Sequence, residues 1–136
     1  MEDQSEFAAV VNCVDAGRID SLMERLSRAG AVVDTLDGMR IRDKHTLLDE
    51  VGRKVFDGRK LANWAQLEDL LRLKILGVSS TGGYALVWTD VPRILDGGLQ
   101  DLLVATDVFF RMARVANQKG HRFRVFLVGS GSNFQS

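Results

Sequence analysis

One amphipathic stretch, residues 56–75, organises the rest of the chain. Its apolar residues recur every three or four positions, which predicts one side of a helix; they are Trp64, Leu67, Leu71 and Ile75. At about 100° per residue, Asp69 falls on the side away from this stripe and Glu68 falls at the margin. The side of Asp69 also carries Ala62, Gln66 and Leu73. Because the apolar stripe must dock on a core, such a helix displays Asp69 rigidly.

Short apolar runs alternate with helical patterns along the rest of the chain. The patterns predict strands at residues 31–36, 84–88 and 123–128, and helices at residues 19–28 and 99–118. Asp43 is the expected N-cap of a further helix with the apolar face Leu47, Leu48, Val51 and Val55. Residues 7–14 fit either a buried strand or an N-terminal helix capped by Ser5, and the pattern leaves both open. In the long helix, the residues expected to point inward are Leu102, Leu103, Val108, Phe109, Met112 and Val115.

Strands separated by helical segments imply a parallel sheet. Parallel neighbours need crossover connections, which helices usually supply, and these helices pack over the faces of the sheet. The sequence therefore predicts a small α/β structure, with a parallel sheet of three to four strands covered by helices.

The composition excludes several classes of protein. Lysine plus arginine equals aspartate plus glutamate at 18 each over 136 residues, so no overall charge points to nucleic acid or a membrane surface. No apolar run approaches the roughly 20 residues that a membrane span needs. Residues 1–6 carry three acids, which does not fit the basic start of a secretory signal. The single cysteine, Cys13, cannot form an intramolecular disulfide and is expected to be a small buried hydrophobe. We therefore expect a cytoplasmic protein.

No catalytic or metal-binding motif stands out. Neither His45 nor His121 is flanked by a serine or cysteine nucleophile, or by a second ligand at metal spacing. The adjacent acids Glu68 and Asp69 point about 100° apart on a helix, which disfavours their sharing a substrate proton. One basic cluster lacks aromatic residues on which bases could stack; it comprises Arg53, Lys54, Arg59 and Lys60. We expect no enzymatic activity, cofactor, metal or direct nucleic-acid partner.

The run from Asn63-Trp64 through Leu67 and Asp69 to Leu71, preceded by Phe56, resembles the barstar-like family of ribonuclease inhibitors. The spacing agrees without a gap. The flanking segments also agree in order. Leu36-Asp37-Gly38, with Ile41 and Leu47, resembles the family's first strand, turn and helix. Leu86-Val87-Trp88 resembles its central strand, and Gly120 with residues 123–128 resembles its last strand. The resemblance covers about residues 31–128.

Several signature positions of that family differ in this chain. They are Asp57 for a proline, Lys60 for an aromatic residue, Leu61 for a glycine, Ala65 for the first acid of the helix, Gln66 for an alanine, and Val115 for an acid of the long helix. Asp69 keeps the second acid, with Glu68 beside it. In the family these acids occupy the basic phosphate-binding site of a ribonuclease. Fewer acids imply slower and weaker association, a relation measured on a complex of this same family.

The resemblance implies a protein-binding inhibitor or immunity protein that blocks the active site of a nuclease toxin. The implied contact residues are Asp69, Glu68, Gln66, Ala65, Leu73, Ala62, Lys60 and Arg59. Asp69 would pair with a basic residue of the target, and Glu68 would assist from the margin. The alternative is an adaptor or interaction module that keeps the fold without nuclease inhibition. The expected organisation is a strand–helix extension (residues 1–30), a barstar-like domain (31–128) and a polar tail (129–136).

Overall fold

A four-stranded, all-parallel sheet forms the centre of the molecule. The computed structural model describes residues 10–130. The strands are β1 (Val11–Asp15), β2 (Val32–Leu36), β3 (Tyr84–Trp88) and β4 (Phe123–Gly129), and they lie in the order β1-β4-β3-β2. In the register, Val11 lies opposite Val125, Val32 opposite Tyr84, and Tyr84 opposite Phe123. Every residue of the two central strands, β3 and β4, is buried, as is typical of a parallel sheet covered on both faces.

Helices cover both faces of this sheet. They are α1 (Ile19–Arg28), α2 (Lys44–Val55), α3 (Trp64–Gly77) and α4 (Leu99–Gln118), with short 3₁₀ turns at Ala16–Arg18, Gly38–Arg40 and Val91–Leu95. Helices α2, α3 and α4 pack on one face, around a core that includes Leu86, Trp88 and Leu127. Among the described residues, helix α1 covers the other face, where Leu22 and Leu26 pack on Ala85, Val87, Phe126 and Val128. We refer to these as the three-helix face and the one-helix face. The predicted α/β fold with a small parallel sheet is confirmed.

Local signals in the sequence account for the helix ends. Asp43 caps α2: its Oδ1 accepts a hydrogen bond from the amide of Thr46 at 2.9 Å, and the Thr46 hydroxyl accepts one from the amide of Asp43 at 3.1 Å. Helix α1 ends before Gly30, which has φ of +76°. The amide of Ala31 donates to the carbonyl of Leu26 at 3.0 Å, the geometry of a Schellman motif.

The first strand decides between the two alternatives for the start of the chain. Residues 11–15 form β1, which pairs with β4 in parallel, so the strand is confirmed for this segment. Ser5 and residues 7–9 lie outside the described residues. At the other end, β4 extends to Gly129, one residue further than predicted. The remainder of the predicted tail after Ser130 also lies outside the described residues.

Three apolar residues are less buried than predicted. Cys13 is exposed, so the prediction of a buried side chain is wrong; β1 is an edge strand and its side chains are only partly covered. Leu103 is 54% exposed and shares an outer stripe of α4 with Leu99 and Phe110, so its predicted inward position is also wrong. Trp64 is half-buried and packs against the rim of the core instead of lying inside it.

Candidate protein-binding site

Helix α3 is held firmly on the three-helix face. Leu67, Leu71 and Ile75 are at most 2% exposed, and Trp64 packs beside them, which confirms the predicted apolar stripe. Asn63 caps the helix: its Oδ1 accepts a hydrogen bond from the amide of residue 66 at 2.8 Å. The side of α3 away from the core is therefore presented to solvent in a fixed orientation.

The loop before α3 is anchored on α2 by a glycine. Asp57 and Gly58 have φ of +56° and +87°, and the amide of Gly58 donates to the carbonyl of Gly52 at 2.9 Å. A Cβ atom at Gly52 would lie 1.9 Å from the carbonyl oxygen of Arg59, so only glycine permits this approach. Leu61 is 6% exposed and completes the anchor. The family's proline could not replace Asp57 here, because a proline ring fixes φ near −65°.

Gln66 connects this loop to the helix. Its side-chain Oε1 accepts a hydrogen bond from the amide of Ala62 at 2.8 Å, one residue before the cap. Gln66 is half-buried, whereas Ala62 is exposed. The resemblance implies Gln66 as a contact residue; in the structure its side-chain oxygen holds the loop against the first turn of α3.

Glu68 forms an ion pair that links α3 to α4. Its two carboxylate oxygens accept hydrogen bonds from Nε and Nη2 of Arg111 at 3.3 Å and 2.9 Å. The same guanidinium also pairs with Asp107 on its own helix. The bond to Glu68 raises the pKa of Arg111. The charge of Glu68 is thus balanced within the chain, and its side chain is only 27% exposed.

Asp69 is the most open acid on α3. Its side chain is 70% exposed, and the only ion pair that it makes within residues 10–130 is a 3.4 Å contact with Arg72. Exposed pairs of this kind stabilise little, because water screens them and both side chains stay mobile. The other exposed residues of α3 around Asp69 are its partner Arg72 and the short or apolar residues Ala65 and Leu73, of which Leu73 is 66% exposed.

The structure gathers the eight predicted contact residues on α3 and the loop before it. Six of them are exposed, and Gln66 and Glu68 are half-buried. The exposed six are Arg59, Lys60 and Ala62 in the loop and Ala65, Asp69 and Leu73 on α3. Sequence reasoning missed Arg111, because it lies 43 positions from Glu68 and only the packing of α3 on α4 brings the two together.

A second unpredicted cluster holds the other end of α3. The hydroxyl of Tyr84 donates to Oδ2 of Asp34 at 2.7 Å, and Nζ of Lys74 lies 3.7 Å from the same oxygen. The ammonium of Lys74 also lies 5.7 Å from the centre of the Tyr84 ring. Burial raises the pKa of Tyr84. This cluster ties the last turns of α3 to the edge strand β2.

The described part of the chain shows little that resembles a catalytic or metal centre. His45 is exposed and lies 3.4 Å from Asp49 on the same helix. Within residues 10–130, no group of three or more histidine, cysteine, aspartate or glutamate side chains could hold a metal ion. No helix in the same range is long and apolar enough to cross a membrane.

The fold and the site define an α/β protein that displays one rigid helix on a covered sheet. Residues 31–128 match the Barstar family, described as barnase inhibitor, and the chain therefore belongs to the barstar family. Members of this family are inhibitors that bind a protein, not enzymes. The match includes the whole of α3 and its loop, and it begins after α1. No curated protein matches the chain.

Two solved structures contain a chain with a similar fold. A chain of "Structure of Drosophila ORC bound to DNA" has a TM-score of 0.63 at 12% identity, and the likeness covers 99% of this chain and 38% of that one. A chain of "Structure of Drosophila ORC bound to AT-rich DNA and Cdc6" has a TM-score of 0.50 at 12% identity, covering 91% and 40%. The chain thus spans well under half the length of either, and the likeness is one of fold alone.

Proposed function

We propose that this chain is a stoichiometric protein inhibitor, an immunity protein that binds a nuclease toxin through the outer side of α3 and the loop before it. The observation that carries the proposal is Asp69, which is 70% exposed at the middle of a helix whose opposite side is buried. Membership of the barstar family supports a ribonuclease as the target.

Each contact residue has a separate role in this proposal. Asp69 pairs with a basic residue in the target's active site and becomes desolvated there. Ala62 and Ala65 allow close approach, and Leu73 adds exposed apolar area. Gln66 and Glu68 act indirectly, because one holds the loop and the other fixes α3 against α4. Inhibition then needs only occupation of the site.

Kinetics with purified barnase test the proposal. We expect the chain to bind barnase and to block its cleavage of RNA. Asp69→Ala should weaken binding by roughly 2–5 kcal/mol, mostly through faster dissociation, because it leaves the target's cation buried and unpaired. The free energy of unfolding should change by no more than about 0.5 kcal/mol, as is usual at exposed positions.

Two further variants separate a local effect from a general one. Asp20→Ala removes the same charge from an exposed position of α1, on the opposite face of the sheet, and should leave dissociation unchanged. Glu68→Ala should weaken binding less than Asp69→Ala, since Glu68 is already paired with Arg111. Unchanged dissociation in Asp69→Ala would show that α3 is not the contact surface.

The charges of the site favour a second candidate, an adaptor module that binds a protein without inhibiting a nuclease. Arg111 balances Glu68, and Arg59 and Lys60 add exposed cations to the loop. An adaptor would leave the cleavage of RNA by barnase unaffected at every ratio of the two proteins, whereas a stoichiometric inhibitor abolishes cleavage near equal concentrations.

A further inference from the structure

The loop end of the candidate binding face carries exposed cations without ion-pair partners in the described part of the chain, whereas the exposed cation nearest Asp69, Arg72, is paired with it. At the loop end, Arg59 and Lys60 are exposed, and their side chains have no ion-pair partner among residues 10–130; Asp57 is the single acid of the loop. Asp69 lies six residues beyond the cap Asn63, about 9 Å along the helix axis. A docked partner therefore meets the loop cations and Asp69 at different positions along the helix.

The backbone that carries the loop cations is fixed in place. The amide of Arg59 donates to the carbonyl of Phe56 at 3.1 Å, and the carbonyl of Arg59 lies against Gly52. On the far side of Lys60, Leu61 is buried and Ala62 is bonded to the side chain of residue 66. The cations can adjust their side chains, but they cannot leave the approach to α3.

The acids of the same face do not offset these cations. Arg111 balances Glu68 at 2.9 Å, and Arg72 lies 3.4 Å from Asp69. A target site built only from cations would therefore meet the exposed cations Arg59, Lys60 and Arg72, against the exposed acids Asp57 and Asp69. Like charges across an interface slow the encounter and select against the wrong partner.

We propose that Arg59 and Lys60 are specificity determinants, and that the protein surface which fits this face presents acidic side chains to the loop and one cation to Asp69. This inference rests on the proposed function, because it takes the same face as the contact surface. It identifies the target by a mixed charge pattern and excludes a uniformly basic site as the best fit.

Charge reversal tests this with barnase as a basic probe. The double variant Arg59→Glu/Lys60→Glu should associate with barnase at least about 10-fold faster than the parent at low ionic strength. Its matched control is Arg18→Glu/Lys119→Glu, which changes the net charge equally at exposed positions outside α3 and its loop. The control should change the association rate less than about 3-fold, and added salt should reduce the difference between the two double variants.

Two results would overturn the inference. Equal acceleration in both double variants would mean that only the net charge matters, and no acceleration in the loop variant would mean that the loop does not face the target. If no variant binds barnase, the proposed ribonuclease target fails, and a second measurement still decides the inference.

Paramagnetic relaxation of the backbone amides in the parent protein, compared between a cationic and an anionic nitroxide, reports the local electrostatic potential. A positive potential at residues 59–62 supports the inference, and a negative one contradicts it.

Discussion

The hydrophobic cores on the two faces of the sheet differ in size. Among the described residues, 24 buried side chains form the core of the three-helix face, against six on the one-helix face. The larger core can hold α3 with its outer side free, whereas the smaller one consists of α1 packed on the sheet. The family match covers every helix of the larger face and leaves out β1 and α1. Helix α3 therefore rests on the larger core, whereas the other face of the sheet is covered by a smaller one.

Removing β1 and α1 should have the largest effect on the stability and solubility of the chain. Deletion of residues 1–30 takes away β1 and α1, and it exposes one face of β3 and β4 at Ala85, Val87, Phe126 and Val128. It also turns the central strand β4 into an open edge. We expect the truncated chain to aggregate, measured by light scattering and by loss of a cooperative thermal transition. A monomeric truncation that melts cooperatively would show that residues 31–128 form a domain without the extension.

Matched leucine-to-alanine substitutions on the two faces should show how much each core contributes to stability. Leu71 and Leu26 are at most 1% exposed, on the three-helix and one-helix faces respectively. Each change to alanine should lower the free energy of unfolding by about 2–5 kcal/mol. We expect Leu71→Ala to cost more, because the half-buried neighbours of Leu26 can collapse into the cavity more easily. Urea denaturation gives both values, and a larger cost at Leu26 would contradict the comparison.

Truncation of a side chain at the rim of the three-helix core should destabilise the fold less than truncation at its centre. Trp64 is half-buried at the start of α3, so Trp64→Ala should cost about 2 kcal/mol, less than the 3–5 kcal/mol typical of a fully buried aromatic residue. The same denaturation experiment applies. A cost above that of Leu71→Ala would mean that the tryptophan, and not the leucine stripe, fixes the helix.

The cap of α2 should give the smallest effect, and one that depends on pH. Asp43→Ala should lower the free energy of unfolding by about 1 kcal/mol near pH 7. The hydrogen bond from the Thr46 amide lowers the pKa of Asp43 below its ordinary value of 3.8. A lowered pKa stabilises the fold above 3.8, and this stabilisation is lost as the pH falls through the folded-state pKa. The difference between the parent and Asp43→Ala should therefore shrink below pH 3.8, and a constant difference down to pH 2 would exclude the charged cap.

Sequence periodicity predicted elements better than it predicted contacts. The strands, the leucine stripe of α3 and the cap at Asp43 follow from spacing and local hydrogen bonding, which act over a few residues. The predicted burial of Cys13 and Leu103 was wrong, because burial depends on which strand lies at the edge of the sheet and on how α4 is rotated. The pairing of Glu68 with Arg111 could not be predicted either, since it requires two helices to be docked. The exposed side of α3 could therefore be predicted from spacing, whereas the contacts that its side chains make within the chain could not.

The close approach of the backbone at Gly52 makes the course of the loop before α3 independent of the side chains that the loop exposes. The backbone is fixed by contacts at Gly52, Leu61 and Gln66, none of which depends on the side chains of residues 57–60, and these four residues are exposed. Substitutions at Arg59 and Lys60, which lie beyond the positive-φ turn at Asp57 and Gly58, can change the charge and shape of this surface while the main chain keeps its course. The surface charge of this loop can therefore change without any rearrangement of α3, the helix that it precedes.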